Sequence, residues 1–293
     1  MPLDPALAAR RCQHALNALH STTYFSSELH EELGQLGIKD HDAAYLASRS
    51  AALGAVGAGV VTGAFYVWKR DVIAEHLPAV WETASPREVT AARLRAADRV
   101  LTRLLGADGI ASESMAEAAR LALQATEGCF DAGRPMYAAH ADLDIPEEPH
   151  LALWHAATLL REFRGDGHLA VLADAELDAL EAQITHAANG DGPPGPLVRE
   201  KRGWSVEEWS AAEHRLRERG ILGADGNLTD AGNQLRADLE AETDRLDRSP
   251  YQYLGTQLVG RLGDLAVALT RAAIEAGAFP PPLVHMFVPG DSK

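Results

Sequence analysis

The sequence predicts an all-α protein with small β-wings, which are short hairpins placed between helices. Helices are predicted because Ala, Leu, Glu and Arg recur at spacings of three and four residues, and runs of β-branched residues are few. A hairpin is predicted at Asp225-Gly226, because this dipeptide stands between short apolar stretches and favours a tight turn. With 293 residues, 46% of them hydrophobic and 24% charged, the chain has the composition of a globular protein.

Three segments rich in Pro, Gly or both interrupt the helical pattern. They are "DIPEEP" (144–149), "NGDGPPGP" (189–196) and the tail "FPPPLVHMFVPGDSK" (279–293). The first of them is interpreted as a domain boundary. The predicted organisation is therefore an N-terminal half (1–143), a C-terminal half (150–248), and a final helix with its Pro-rich tail (250–293).

The two halves share short phrases in the same order. "LHSTTYF" in the first half aligns with "WHAATLL" in the second and pairs His20 with His155. Further along, 85–109 and 205–226 each open on Ser with Glu three residues later, a capping box, and each close on Gly-Ala-Asp-Gly. These anchors predict an internal duplication whose halves pack as a pseudo-dimer. The alternative is that Ala-rich helices match by chance.

The segment 203–246 contains elements in a recognisable order. A predicted helix is followed by Arg-Gly-Ile-Leu, the Asp-Gly turn, and the phrase "LTDAG" that opens a long helix. This order resembles the winged helix of the MarR class of regulators. The whole chain is similar to an actinobacterial helix-turn-helix family of mostly unassigned function, through phrases close to "WHAATLLREFRGDGH" and "GRPMYAAHADL". The resemblance implies tandem winged-helix-like halves, and in a regulator the helix before the wing enters the major groove.

The net charge of −15, from 42 acidic and 27 basic residues, argues against a nucleic-acid partner. Proteins that bind nucleic acid neutralise phosphates with Lys and Arg. The helix predicted before the wing, 206–219, carries four Glu against three Arg. We therefore do not expect nucleic acid as a partner. The alternative is a ligand-responsive DNA-binding regulator that retains one working recognition helix.

A polar stripe runs along the predicted helix that contains "LWHAATLLREFRGDGH" (153–168). At 100° per residue, His155, Thr158 and Glu162 fall on one side of this helix, opposite an apolar face. Apolar residues also flank the stripe, so it is not an ordinary solvent-facing side. In the predicted pseudo-dimer it faces the stripe of the first half or a pocket between the halves, which is a usual place for a small-molecule site.

His155 and His20 are the candidate catalytic or ligand-contacting residues of that site, with Tyr24 beside His20. Either histidine could bind a ligand or act as a general acid or base. The alternative is a structural histidine that ties two helices together with a hydrogen bond. The main functional hypothesis is thus a protein that binds a small-molecule ligand, with an enzymatic role in specialised metabolism left open.

The second candidate group is the dense polar run "REFRGDGH" (161–168). Its two glycines are expected to break the helix, so that Asp166 and His168 begin the next one. Arg161 and Arg164 could then hold a carboxylate or a phosphate, oriented by Asp166. The alternative is a helix stop with an Asp cap and a surface ion pair.

Arg49 borders the stretch 51–68, which holds no charged residue. An arginine beside apolar sequence often pairs with a carboxylate or with a ligand anion. The stretch reaches the lower limit of a membrane span, but its four glycines predict a buried, tightly packed segment instead. No membrane association is expected.

The sequence indicates no particular cofactor or metal. A Gly-rich phosphate loop, a dinucleotide fingerprint, and the His-x-x-x-His and Cys-x-x-Cys spacings of preformed metal sites are all absent. The two cysteines, Cys12 and Cys129, are too few for a disulfide framework, and the N-terminus does not have the apolar run of an export signal. A cytoplasmic protein is expected.

Leucines at helical spacing mark the final helix, within 251–277. They are Leu254, Leu258, Leu262, Leu265 and Leu269. This leucine seam is expected to close either the core of the chain or the interface of a homodimer.

Overall fold

A computed structural model describes residues 4–190 and 192–288. Within them the chain is helical and no β-strand forms, so the all-α prediction is confirmed. In chain order the α-helices are α1 (Pro5–Ser21), α2 (Ser27–Gln35), α3 (His41–Ser50), α4 (Ala58–Phe65), α5 (Arg70–His76), α6 (Val80–Thr83), α7 (Pro86–Ile110), α8 (Glu113–Thr126), α9 (Pro135–Ala141), α10 (Pro149–Asp174), α11 (Ala179–Ala188), α12 (Gly195–Lys201), α13 (Val206–Glu218), α14 (Asp230–Leu254) and α15 (Thr256–Glu275). Short 3-10 helices cover Thr22–Phe25, Ala51–Leu53 and Pro281–Met286.

The chain divides into two compact units, each built from separate stretches of sequence. Unit 1 contains the segments up to Ala55, Ala79–Asp166, and from Asp247 onward. Unit 2 contains Val56–Pro78 and Gly167–Leu246. Two helices, α10 and α14, contribute residues to both units.

The division predicted from the sequence, at 1–143, 150–248 and 250–293, remains a prediction. Parts of the segments used for it lie outside the described residues. These are the N-terminal 1–3, position 191 in the second break, and 289–293 in the Pro-rich tail.

The core of unit 1 centres on α1 and α15, which pack along each other. Cys12 and Leu16 of α1 are at most 1% exposed in this contact. Thr270 of α15 donates a hydrogen bond of 2.9 Å to the carbonyl of Ala15. This contact thus packs α15 against α1.

The leucine seam, which starts on the last residue of α14 and continues along α15, belongs to this core. Its buried members are Leu254, Leu262 and Leu265, and its partly buried members are Leu258 and Leu269. Fully burying a leucine contributes roughly 2 kcal/mol. The seam therefore closes the core of one chain. A homodimer through this helix remains a prediction.

Both predicted capping boxes are confirmed. Ser85 and Glu88 begin α7, and Ser205 and Glu208 begin α13, with each serine hydroxyl accepting the backbone N–H of its glutamate. The two helices then differ, since α7 has 25 residues and a kink at Gly106 whereas α13 has 13 residues. The shared Gly-Ala-Asp-Gly lies inside α7 in the first half and in a turn in the second. The internal duplication and the pseudo-dimer inferred from it remain predictions.

The predicted β-wings are wrong for the described part of the chain, because no hairpin of strands forms there. Between α13 and α14 a single antiparallel bridge pairs Leu222 with Leu228. The turn inside the bridge is held by Asp225, whose carboxylate accepts the Asn227 N–H at 3.1 Å. In the first half α8 begins three residues after α7 ends, which leaves no room for a hairpin.

The helix break predicted at 165–167 is also wrong. α10 continues through both glycines for about two further turns. A glycine inside a helix costs about 1 kcal/mol relative to alanine, and burial of large side chains such as Phe163 outweighs that cost. Asp166 is therefore a mid-helix residue. Its carboxylate caps α9 instead, where it accepts the N–H of Tyr137 at 2.9 Å.

Among the described residues, no single helix is long and apolar enough to cross a membrane. Helices at 41–53 and 58–65 meet the limits of length and composition only as a bent pair taken together.

Candidate functional site

Arg93 lies on the otherwise apolar side of α7, and only 4% of its surface is exposed. Its Nη1 donates to His140 Nε2 at 3.1 Å, and its Nη2 donates to Tyr24 Oη at 3.1 Å and lies 3.4 Å from His20 Nε2. The guanidinium carbon is 4.7 Å from the centre of the Trp154 ring, a cation–π contact. None of these partners is a carboxylate, and none of the described carboxylates pairs with Arg93.

The hydrogen-bond network determines the tautomers of two histidines. A guanidinium can only donate, so the Nε2 atoms of His20 and His140 both accept, and each ring carries its hydrogen on Nδ1. The Nδ1–H of His140 donates to the carbonyl of Met136 at 2.8 Å. The Nδ1–H of His20 is buried and has no acceptor within the described part of the chain.

Burial lowers the pKa of three histidines in this region, and the charge of Arg93 lowers it further. The pKa of His140 and the pKa of His155 each fall to about 4. The pKa of His20 lies well below its ordinary value through burial, then the charges of Arg161 and Arg93. The three rings are therefore neutral at pH 7 and add no positive charge beside the guanidinium.

The more accessible end of the same region holds one carboxylate between two guanidiniums. Glu162 is buried, its Oε2 accepts from Arg49 Nη2 at 3.3 Å, and its Oε1 accepts from Arg161. Tyr45 Oη accepts from Arg49 Nη1 at 3.2 Å. Burial alone would raise the pKa of Glu162, but Arg161 and Arg49 hold it well below its ordinary value, so the carboxylate is ionised. The side chains of Arg49 and Arg161 are 12% and 24% exposed and give the region its access to solvent.

Several buried polar atoms here have no hydrogen-bond partner among the residues that the structure describes. They include His20 Nδ1, Thr23 Oγ1, Arg93 Nε and His155 Nε2. Folded proteins leave few such atoms unsatisfied, and each one calls for an explanation such as water, an ion or a catalytic role. We call this region of unit 1 the arginine–histidine cluster. It comprises His20, Thr23, Tyr24, Tyr45, Arg49, Arg93, His140, Trp154, His155, Arg161 and Glu162.

The structure brings most of the site residues predicted from the sequence into this cluster. Those inside it are His20, Tyr24, Arg49, His155, Arg161 and Glu162. Thr158 lies on the same helix, but its hydroxyl donates back to the Trp154 carbonyl at 3.0 Å. That a ligand binds these residues remains a prediction.

Three predicted site residues lie elsewhere. Arg164 pairs with Asp247 at 3.4 Å, so that it and Arg161 bind different carboxylates of the chain. Asp166 caps α9, and burial raises the pKa of its carboxyl to about 6, with a further upward contribution from the Glu162 charge. His168 belongs to unit 2, where its Nδ1 lies 2.9 Å from the Thr243 hydroxyl.

Sequence reasoning missed Arg93, His140 and Tyr45. Arg93 had a usable signal, since it is the one arginine on the buried face that Val89, Ala96 and Val100 form along α7. His140 stands in "GRPMYAAHADL" without a neighbouring polar residue on its own face. Its role depends on contact with α7, which no local pattern shows.

Unit 2 contains two short helices joined by a tight turn. α12 and α13 are separated by the four residues 202–205, and Gly203 in this turn has φ +78°. A Cβ at Gly203 would lie 2.1 Å from Val72 Cγ2, so both backbone and packing require glycine. α11 packs against α13, with Leu180 and Leu216 in the shared core. Two helices joined by a short, glycine-containing turn are the elements of a helix-turn-helix motif.

The arginines of α13 and its C-cap bind carboxylates of unit 2. Arg215 Nε donates to Glu181 at 3.0 Å and Arg219 Nη1 donates to the same residue at 3.1 Å. Arg217 Nη2 donates to Glu213 at 3.1 Å. The other exposed residues of α13 are Val206, Glu207, Ser210, Ala211, His214 and Glu218.

Basic residues also gather at the end of α12. Arg199 and Lys201 lie in its last turn, and Arg202 follows as the C-cap. Lys201 is exposed. This pair of helices therefore has its basic end on α12, beside the turn, and a mixed polar surface on α13.

Residues 9–280 match a helix-turn-helix family, which is nearly the whole chain. The chain belongs to this family. No curated protein and no solved structure matches it. Membership overturns the expectation that nucleic acid is not a partner, because a helix-turn-helix family indicates a nucleic-acid-binding protein. The expectation rested on the charge of the whole chain and on the four glutamates of 206–219, and neither excludes binding by a face that includes neighbouring residues. The narrower MarR-like and actinobacterial resemblances remain predictions.

Proposed function

We propose that this chain is a ligand-responsive, DNA-binding transcriptional regulator, with the MarR-like α12–turn–α13 segment of unit 2 as its DNA-binding part. Family membership over 9–280 carries the proposal, and the α12–turn–α13 motif locates it. The single bridge at Leu222 and Leu228 stands where a wing would follow the second helix. An enzymatic role is not part of the proposal.

In helix-turn-helix proteins the second helix lies in the major groove, with its first residues at base edges, while the first helix crosses the backbone. Applied to unit 2, this arrangement places Val206, Glu207 and Ser210 at base edges. A glutamate can accept from the amino group of cytosine, and a serine can contact several bases. The basic end of α12, with Arg199 and Lys201, then meets phosphates.

The total charge of −15 does not decide this interaction. At about 0.1 M salt, exposed charges further apart than roughly 10 Å are largely screened. Acids of unit 1 beyond that distance from bound DNA therefore contribute little, and the contacting residues set the affinity. Because α13 offers paired arginines, we expect only a few phosphate contacts and a shallow dependence of affinity on salt.

Selection of duplexes from a random pool by the full chain, followed by fluorescence anisotropy in rising salt, tests the proposal. We expect a selected sequence to bind more tightly than a scrambled duplex. Lys201→Ala should weaken binding to both and lower the salt slope by about 1, since one phosphate contact is lost. Lys39→Ala, the same change at an exposed position of unit 1, is the matched control and should leave both unchanged.

A separate variant tests whether α13 recognises bases. Glu207→Ala should change the preferred sequence at one or two positions, with discrimination altered by about tenfold. Absence of duplex binding by the wild-type chain at micromolar concentration and low salt would refute the proposal. So would a Lys39→Ala effect as large as that of Lys201→Ala, because binding would then not involve α12.

A further inference from the structure

We propose that the arginine–histidine cluster binds a small organic carboxylate. The carboxylate enters past Arg49 and Arg161 and is held by Arg93, His20 and His155. The inference names the class of ligand for the proposed regulator. It rests on that function only for its regulatory consequence, since binding to unit 1 is tested without DNA.

The first support is an excess of positive charge in a buried place. Arg49 and Arg161 bind the carboxylate of Glu162, whereas the buried guanidinium of Arg93 pairs with none of the described carboxylates, and the histidines around it are neutral. Arg93 has no carboxylate partner in the described chain and is held only by rings and a hydroxyl. A buried charge is costly unless a counter-charge accompanies it. A bound monoanion supplies that counter-charge.

The second support is the kind of polar atoms left over. His20 Nδ1–H and Arg93 Nε–H are both donors, both buried, and both without an acceptor in the described residues. The hydroxyl of Thr23 can serve as a third donor. An ionised carboxylate only accepts, with two oxygens, and so complements such a set. Water could satisfy one of these donors, but it would leave the charge of Arg93 uncompensated.

The third support concerns the choice among anions. Glu162 already occupies the space between Arg49 and Arg161, which shows that this pair of guanidiniums suits a carboxylate. The rings of Tyr24 and Tyr45, 5.5 Å apart between centroids, offer apolar surface for an organic body.

The competing explanation is that the cluster only fastens helices together. If this explanation holds, anions do not bind specifically to the cluster. Every substitution in the cluster then lowers the stability of the fold, whether it removes a positive or a negative charge. The two explanations differ most for Glu162→Gln. Removing this negative charge should tighten carboxylate binding if the site is an anion site, and should change nothing in binding if the cluster is structural.

Isothermal titration calorimetry of the full chain with benzoate and with acetate provides the test. Benzamide, which has the shape of benzoate without its charge, is the matched ligand control. We expect benzoate to bind with a Kd of about 1 mM or below and benzamide to give no heat of binding. Arg93→Gln should weaken benzoate binding by about tenfold or more, and Glu162→Gln should strengthen it by about tenfold.

Arg95→Gln is the matched control variant, because Arg95 lies on the same helix but is 52% exposed and paired with Glu32. Its affinity for benzoate should equal that of the wild type. If Arg93→Gln does not fold, Arg49→Gln at the accessible end takes its place with the same expected weakening.

Either of two results overturns the inference. One is that neither benzoate nor acetate binds to the wild-type chain more tightly than benzamide. The other is that Glu162→Gln weakens binding or leaves it unchanged. Carboxylate binding by a chain that binds no duplex would refute the proposed function and leave this inference standing. The reverse result would refute the inference and leave DNA binding in place.

Discussion

Arginines in the two units are in opposite situations. In unit 1, Arg93 is buried and contacts histidines, a tyrosine and an indole ring. In unit 2, Arg215 and Arg217 are more than a third exposed, and each is bound to a carboxylate. The buried guanidinium is thus without an anionic partner, while the exposed ones have partners that solvent could have replaced.

The difference has a physical consequence for each unit. Exposed ion pairs typically contribute less than 1 kcal/mol, because water screens them. The Arg217–Glu213 pair on α13 therefore costs little to break when another anion, such as a phosphate, competes. The uncompensated charge of Arg93 is screened far less, so its surroundings must be arranged to hold it.

The comparison is tested most strongly by removing one arginine of each kind. Arg93→Met leaves the acceptors of His20 and His140 and the hydroxyl of Tyr24 without their donor, so we expect a loss of roughly 3–5 kcal/mol in the free energy of unfolding. Arg217→Met should cost less than about 1 kcal/mol. Urea denaturation followed by circular dichroism measures both. Equal losses would show that the burial of Arg93 has no energetic importance.

The second prediction concerns pH. The pKa values of His140 and His155 are about 4 in the folded chain, below the unfolded value of about 6.5. Between these values the unfolded chain binds more protons, so stability is complete above about pH 6.5 and is lost as pH falls toward 4. Each histidine contributes on the order of 3 kcal/mol to this loss.

Asp166 acts in the opposite direction. The pKa of its carboxyl is raised to about 6, so on acidification the folded chain takes up this proton before the unfolded chain does. Protonation of Asp166 therefore offsets roughly the stability loss that one of these histidines causes. We still expect a net loss of stability from pH 6.5 to 4, and His155→Gln should reduce it. His214→Gln, at a side chain that is 71% exposed, is the control. Thermal melts across this pH range provide the measurement. A melting temperature that does not change with pH would contradict the inference that these histidines are neutral in the folded chain.

The smallest change in stability is expected for substitutions at the turn between α12 and α13. Gly203→Ala introduces a Cβ 2.1 Å from Val72 Cγ2 at a positive φ, and should destabilise unit 2 by about 2 kcal/mol. Gly220→Ala is the matched substitution, since Gly220 has φ +70° but open space around its Cβ position, and should cost about 1 kcal/mol. Amide hydrogen exchange rates in α12 and α13 distinguish the effects of the two substitutions. Indistinguishable exchange rates would mean that the turn yields to the added methyl group.

Local rules predicted the parts of this fold that depend on near neighbours. The capping boxes at Ser85 and Ser205 follow from residues three positions apart, and the stripe of His155 and Glu162 follows from helical spacing. The break at 165–167 failed because burial of the surrounding helix outweighs the cost of two glycines, and burial is not a local quantity. The wings failed because the Asp225-Gly226 signal predicts a tight turn and does not predict how many residues pair on either side of it; of the described residues around it, only Leu222 and Leu228 do so.

Long-range contacts account for the rest of the cluster. Arg93 and His140 are 47 residues apart, and Arg93 and His20 are 73 residues apart. A buried arginine on an apolar helix face indicates that polar partners exist, but their positions depend on how three helices pack. The nucleic-acid expectation failed for a related reason, since neither the charge summed over the chain nor the composition of the single helix 206–219 shows which charges of neighbouring elements share a face.

The shared hydrogen bonds of Arg93 also constrain how this protein can change over generations. Replacing Arg93 alone leaves His20, His140 and Tyr24 with buried groups that nothing satisfies, and replacing any one of these removes part of what holds the guanidinium. Substitutions at these positions are therefore strongly epistatic, with single changes penalised and joint changes tolerated. Relatives that lack the arginine are expected to lack its histidines as well, so the positions should be inherited or lost as a set.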